Sequence, residues 1–245
     1  MHRMPLVILV AVLCSTVASP VVMAGQFPDG DNDNPNPALF RQDASPYGVD
    51  MATWGERASQ WIYAQPLDQS PLFDPTGANC DVAQRGPVWY IARIAGPPVF
   101  SGTRTCTIPH QKSLFLYIGA VVDEYPCPAF PDFQPAPGQS LYDFLIADAK
   151  FYMDTVDFLQ VSLDGQQLQD VMDYRYHSDD LFRLTGDLSL QPVMDPCITG
   201  EPQQAIVDGF FMMFKPLDPG SHTIVVHGTN TFGDNKTFTY FLTID

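Results

Sequence analysis

Phe158-Leu159-Gln160-Val161-Ser162-Leu163-Asp164-Gly165 is the stretch on which the fold turns. Apolar and polar residues alternate along it, the period-two signature of a half-buried strand, and Asp164-Gly165 is a strong two-residue hairpin turn. Toward the C-terminus, Ile206 to Phe214 reads as another strand and Pro216 to Gly220 as a turn. His222 to His227 and Thr237 to Ile244 then read as a terminal hairpin around Gly233-Asp234. Toward the N-terminus, Val88 to Ala92 and Ser113 to Ile118 are short β-prone runs between Gly and Pro punctuation. This pattern predicts a mainly β protein: a mixed, mainly antiparallel β-sandwich, jelly-roll-like or immunoglobulin-like, with two accessory α-helices.

The first helix is expected from Asp50 to Tyr63. Asp50 caps it, Trp54, Ala58, Trp61 and Ile62 form one apolar stripe, and Pro66 stops it. Ser140 opens the second, whose apolar face is Leu141, Phe144, Leu145, Ala149, Tyr152 and Met153. A proline-heavy loop over residues 124–139 precedes it.

The 245 residues include 28 Asp and Glu against 12 Lys and Arg, a net charge of −16. That balance argues against nucleic acid and anionic membrane surfaces, which need cationic complement. Residues 1–24 read as a secretory signal: Arg3 is the positive end, Leu6 to Leu13 the apolar core, and Val22-Met23-Ala24 the small-residue cleavage site. Its removal takes one base and no acid, leaving 11 basic against 28 acidic residues, net −17. The expected location is secreted or periplasmic, with no membrane contact once the signal is gone. Residues 25–48 read as a polar acidic leader, and residues 49–245 as a single β-sandwich domain. Within the leader, Asp29, Asp31 and Asp33 have the alternate spacing that opens a calcium loop, making Ca2+ the one cofactor the sequence admits. The glycine expected at the sixth position is Asn34, and the glutamate expected at the twelfth is Phe40.

Without Cys14, which leaves with the signal, four cysteines remain: Cys80, Cys106, Cys127 and Cys197. In an exported chain these imply two disulfides, with three connectivities open. The preferred pairing is sequential, and the Cys80–Cys106 loop alone is worth about 3 kcal/mol in the chain-entropy model.

Several strings carry a resemblance: Trp54 and Trp61; Pro71-Leu72-Phe73-Asp74-Pro75-Thr76-Gly77-Ala78-Asn79-Cys80; Gln84-Arg85-Gly86-Pro87-Val88-Trp89-Tyr90; and Arg104-Thr105-Cys106-Thr107-Ile108-Pro109. Asp208-Gly209-Phe210 and Pro216-Leu217-Asp218-Pro219-Gly220-Ser221-His222-Thr223-Ile224 extend it. Together they resemble a family of exported bacterial proteins of unassigned function, over most of residues 54–245. Similar proteins carry a glycine where this chain has Gln111, just before Lys112. The resemblance implies export and one β-rich unit, and it implies no activity.

Chemistry is sparse. His177 with Asp179 and Asp180 is the sharpest catalytic candidate, because an imidazole oriented by a carboxylate serves as a general base; His110 is the next. His222 and His227 fall on opposite faces of a regular strand and do not share a metal. Asp74, Asp81, Asp123 and Glu124 are further acids whose pairing only spatial separation decides. Neither GxSxG nor HExxH occurs. The loop aromatics Tyr125, Phe130, Phe133, Tyr174 and Tyr176 are the ligand-binding candidates, since their ring faces stack on sugars. The leading expectation is therefore a disulfide-stapled binder of an extracellular carbohydrate or protein. An extracellular hydrolase or lyase using His177 and a structural surface component follow it.

Overall fold

The structure is a computed structural model, described here for residues 34–245. The candidate calcium acids Asp29, Asp31 and Asp33 lie outside the described residues, as does the signal segment. The compact unit starts at Asn34 rather than at residue 49. The end of the expected leader is part of it: Leu39 is fully buried and bridges Phe214, and the Phe40 N–H donates to Met213 O at 2.9 Å.

The elements run α1 (Met51–Tyr63), β1 (Val88–Ala92), β2 (Val99–Ile108), β3 (Ser113–Tyr125), α2 (Leu141–Met153), β4 (Val156–Leu163) and β5 (Gln166–Gln167). They continue with β6 (Arg175–His177), β7 (Phe182–Leu184), β8 (Gln203–Phe214), β9 (Gly220–Asn230) and β10 (Asn235–Ile244). One sheet has the order β1-β3-β8-β6, with β7 also on β8; the other has the order β2-β10-β9-β4-β5. The sandwich is mixed rather than purely antiparallel. β1 runs parallel to β3 and β2 parallel to β10, because the chain visits the second sheet as β2 between β1 and β3.

Both helices start where the sequence places them. Asp50 accepts from the Thr53 N–H at 2.7 Å and Ser140 from the Asp143 N–H at 3.0 Å, each satisfying an orphan donor of its first turn. α1 lays Trp54, Ala58, Trp61 and Ile62 against Phe115, Phe211 and Met213 on the outer face of the first sheet. That sheet's other face packs on the second sheet through Leu114, Leu116, Met212 and Phe214 against Val226, Tyr240 and Leu242. Covered on both faces, β8 is buried at every residue from Ala205 to Phe214, which explains why it is apolar there except at Asp208 and Gly209. The second sheet is covered on one face only, so β10 alternates, with Phe238, Tyr240, Leu242 and Ile244 inward. Asp164 and Gly165, at φ 51° and 79°, form the expected left-handed hairpin turn.

Both disulfides follow the sequential pairing. Cys80–Cys106 ties the loop after α1 to β2, and Cys127–Cys197 ties the end of β3 to the loop before β8, with Cα–Cα distances of 5.8 and 4.4 Å. The Asp74 string is structural. Its carboxylate accepts from the Thr76 N–H (2.8 Å), the Thr76 hydroxyl (2.6 Å), the Gly77 N–H (2.9 Å) and the Asn79 N–H (2.8 Å). Arg104 donates into the same loop, to the carbonyls of Pro71 and Asp74, and to Ala92 O at the end of β1. Gly77 is required there: at φ 102°, a Cβ would sit 1.8 Å from Thr105 O. Gln111 takes φ 69°, in the left-handed region that favours glycine.

Candidate functional site

A strand with glycine inside it leaves a gap that a side chain would otherwise fill. Gly119 in β3 does so beside a register shift between Tyr117 and Gly119 against β8, and a Cβ added there meets nothing within 4 Å. Gly228 in β9 lies on the facing sheet. Between them the end of the sandwich core is open, forming a cavity of about 340 Å³ lined by Ile118, Met153, Leu159, Phe210, Val226 and Phe238. Its mouth is formed by Tyr152, at the end of α2, and Phe232, in the β9–β10 hairpin. Their rings are 6.3 Å apart, and the residues are 47% and 63% exposed.

Two cations border this cavity. Lys236 is committed to Asp234 at 3.5 Å, and Asp234 also accepts from the Asn230 amide at 3.0 Å. Arg93, the residue after β1, is half-buried on the wall and makes no hydrogen bond or ion pair with any described residue. It also walls a neighbouring pocket of about 240 Å³ that includes Tyr63, Tyr117, Asp123 and Asp195.

Asp123 and Asp195 reach in turn into a third pocket of about 300 Å³, with Glu124, Asp148, Phe130, Phe133 and Tyr152. The three pockets thus share walls around the C-terminal half of β3. The third is an acid cluster with no cation on its walls. Glu124 is 2% exposed, and no protein donor reaches either of its carboxyl oxygens or Asp123 Oδ2. Burial, then the charges of Asp195 and Asp123, push Glu124 up to about 9; burial with Asp148 and Asp195 pushes Asp123 up to about 7. Asp195 and Asp148 are raised by burial as well. The neighbouring Asp195 carboxylate thus favours the protonated form of Glu124. The Cys127–Cys197 bridge holds the loop that supplies Asp195, whose carboxylate accepts from the Cys197 N–H at 2.8 Å. Among the described residues, no three His, Cys, Asp or Glu side chains converge as metal ligands would.

The expected site residues are distributed over the molecule. His177 is on β6, its Nδ1 3.1 Å from Ser178 O, in a depression that also includes Asp179. Asp180 accepts from the Leu181 N–H at 2.7 Å, and neither Asp179 nor Asp180 hydrogen-bonds the imidazole. His110 lies in the turn between β2 and β3, its Nδ1 2.9 Å from Asp245 O. His222 contacts Asp164 and His227 contacts Asn235, on separate faces. Phe130 and Phe133 line the acid pocket and Tyr125 packs beside them against α2. Tyr174 and Tyr176 do not join them: Tyr174 is buried in the inter-sheet core, and the Tyr176 hydroxyl donates to Gln42 O at 3.2 Å. Sequence reading missed Arg93, Gly119, Asp148, Asp195, Gly228 and Phe232. The available signal was the pair of glycines inside apolar strands.

No protein-family model matches the chain, and no curated protein matches it. A solved structure titled "Solution Structure of Amebosin" is similar over 61% of this chain and all of that one, at 13% identity and a TM-score of 0.19, a likeness too slight to carry an argument.

Proposed function

We propose that the protein is an exported binding protein whose small ligand occupies the inter-sheet cavity beneath Tyr152 and Phe232. One observation carries this reading: the sandwich leaves about 340 Å³ of its own core end unfilled and places two exposed rings at the opening. Pockets of this kind, apolar with a few polar groups on the wall, are where small molecules bind. The rings give the rim stacking faces suited to a pyranose, in keeping with an extracellular carbohydrate ligand. The two disulfides suit an oxidising compartment, and no helix among the described residues is long and apolar enough to cross a membrane.

The test is a panel of pyranosides and small apolar molecules, scored by thermal shift and calorimetry. At least one should bind the full chain, and Gly119→Leu, which puts a side chain into open space, should abolish that binding while leaving the fold intact. Binding that survives Gly119→Leu unchanged sinks the cavity reading. A second reading, hydrolysis, rests on the Glu124–Asp195 pair, where a protonated acid beside a carboxylate is the arrangement general acid–base chemistry uses. Loss of any glycan hydrolysis in Glu124→Gln, with His177→Ala unaffected, supports it.

A further inference from the structure

Arg93 is a cation without an answer. The chain carries 28 acids and only 12 basic residues, yet none of the described acids pairs with this one. Other buried arginines are fully engaged: Arg104 by the carbonyls of Pro71, Asp74 and Ala92, and Arg175 by Asp208 and Asp154. A half-buried guanidinium loses hydration that an anion would restore, and its fork matches a carboxylate with two parallel hydrogen bonds. The rest of the cavity offers the opposite chemistry. Ile118, Met153, Leu159, Phe210, Val226 and Phe238 present hydrocarbon to whatever enters.

We propose that the cavity takes an aliphatic monocarboxylate, its chain among those six side chains and its carboxylate on Arg93. This rests on the reading of the cavity as a ligand site and adds the charge and shape of the ligand. The other charges at the opening do not compete. Lys236 and Asp234 neutralise each other, and Asp234 is further held by Asn230. Burial raises the acids of the adjoining pockets, Glu124 up to about 9, which reduces the negative charge that faces a bound carboxylate.

Calorimetry on the full chain with decanoate, 1-decanol and decylamine separates charge from hydrocarbon. Decanoate is expected to bind about tenfold or more tighter than decanol, and decylamine more weakly than either. Arg93→Met should bring decanoate down to the level of decanol and leave decanol unchanged, whereas Arg93→Lys should retain part of the preference. Amide shifts at Gly119 and Gly228 on addition of decanoate place the ligand in the cavity without any substitution. If decanol binds there as tightly as decanoate, or if Arg93→Met leaves decanoate affinity intact, this inference is overturned while the cavity remains a ligand site. If none of these probes and no pyranoside moves the Gly119 and Gly228 signals, the ligand-site reading falls and takes this one with it.

Discussion

Asp208 and Glu124 lie on neighbouring strands of the same sheet, 0% and 2% exposed, and they meet burial in opposite ways. Asp208 is answered by a cation: Arg175 Nε and Nη2 reach its two oxygens at 2.9 and 2.7 Å, and Arg175 Nη1 reaches Asp154 at 2.6 Å. That arginine joins β6, β8 and the C-cap of α2 in one polar clamp. Glu124 is answered by no cation, and the charges that act on it are those of Asp195 and Asp123. A buried charge needs either a partner or a proton. The clamp is thus a fixture of the fold, and the acid pocket keeps an exchangeable proton at the edge of a cavity.

The largest effect is expected from breaking the clamp. Arg175→Met leaves Asp208 charged and unpartnered in the sheet and should cost about 3–5 kcal/mol in urea unfolding at pH 7. Replacing both, as Arg175→Met with Asp208→Leu, should recover most of that loss. If the single variant is within about 1 kcal/mol of wild type, the pair is not what keeps Asp208 buried.

A third solution for a buried acid is the one at Asp74, whose oxygens take three backbone N–H groups and a hydroxyl. Burial works against the charge, but the bonds from Asn79, Thr76 and Gly77 outweigh it and hold the pKa below the ordinary value. Its contribution is therefore present above the unfolded-state pKa and lost as pH falls through the lowered folded value. Asp74→Ala should cost about 2–3 kcal/mol at pH 7, less at pH 3, and loosen the loop that ends in Cys80.

Glu124 must behave with the opposite sign. Its folded pKa is raised, to about 9, so between the unfolded carboxylate value and that point the native state holds a proton that the unfolded chain has released. Stability should fall with rising pH across this window, by about 1.4 kcal/mol per pH unit for a fully differential proton. Glu124→Gln removes its share of the slope, leaving that of Asp123, and should be more stable than wild type at pH 8 by about 1–3 kcal/mol. A wild-type stability that rises steadily from pH 5 to pH 8, with no flattening in Glu124→Gln, rules out the protonated acid.

The two regions also differ in what their sequence discloses. Local devices were legible: the Asp50 and Ser140 caps, the Asp164-Gly165 turn, the apolar run of β8 and the sequential disulfides each depend on residues close in the chain or on a simple pairing order. The acid pocket and cavity depend on encounters across the fold. Asp148 on α2, Asp195 in a loop and Glu124 on β3 meet only because α2 packs beside β3 and the Cys127–Cys197 bridge draws residue 195 in. β2 was illegible for a different reason: as an edge strand with polar Ser101-Gly102-Thr103-Arg104-Thr105, it buries side chains only from Arg104 onward, at alternate positions. Tyr152 belonged to the apolar face of α2 by periodicity, but it lies in the helix's last turn and reaches past the end of the sandwich to the cavity mouth.

Exposure should set the scale of the smallest effect. His222 Nδ1 is 2.7 Å from the Asp164 carboxylate and its Nε2 2.9 Å from Asp218 O, an ion pair like the clamp in geometry but with the Asp164 side chain 45% exposed. Partial burial disfavours the imidazolium, yet the Asp164 carboxylate and the Asp218 carbonyl together hold the pKa above its ordinary value. A raised folded pKa places the contribution below the unfolded value near 6.5 and removes it as pH rises through the folded one, the same direction as Glu124. Solvent screens the pair, so His222→Gln should cost less than about 1 kcal/mol at pH 5.5 and nothing measurable at pH 9. In an NMR titration, Asp164→Asn should lower the His222 midpoint. The β4–β5 turn itself should stay formed in that variant, because asparagine takes the left-handed conformation of residue 164 as readily as aspartate does. A loss at pH 5.5 as large as that of Arg175→Met would mean that geometry, and not burial, sets the strength of these pairs.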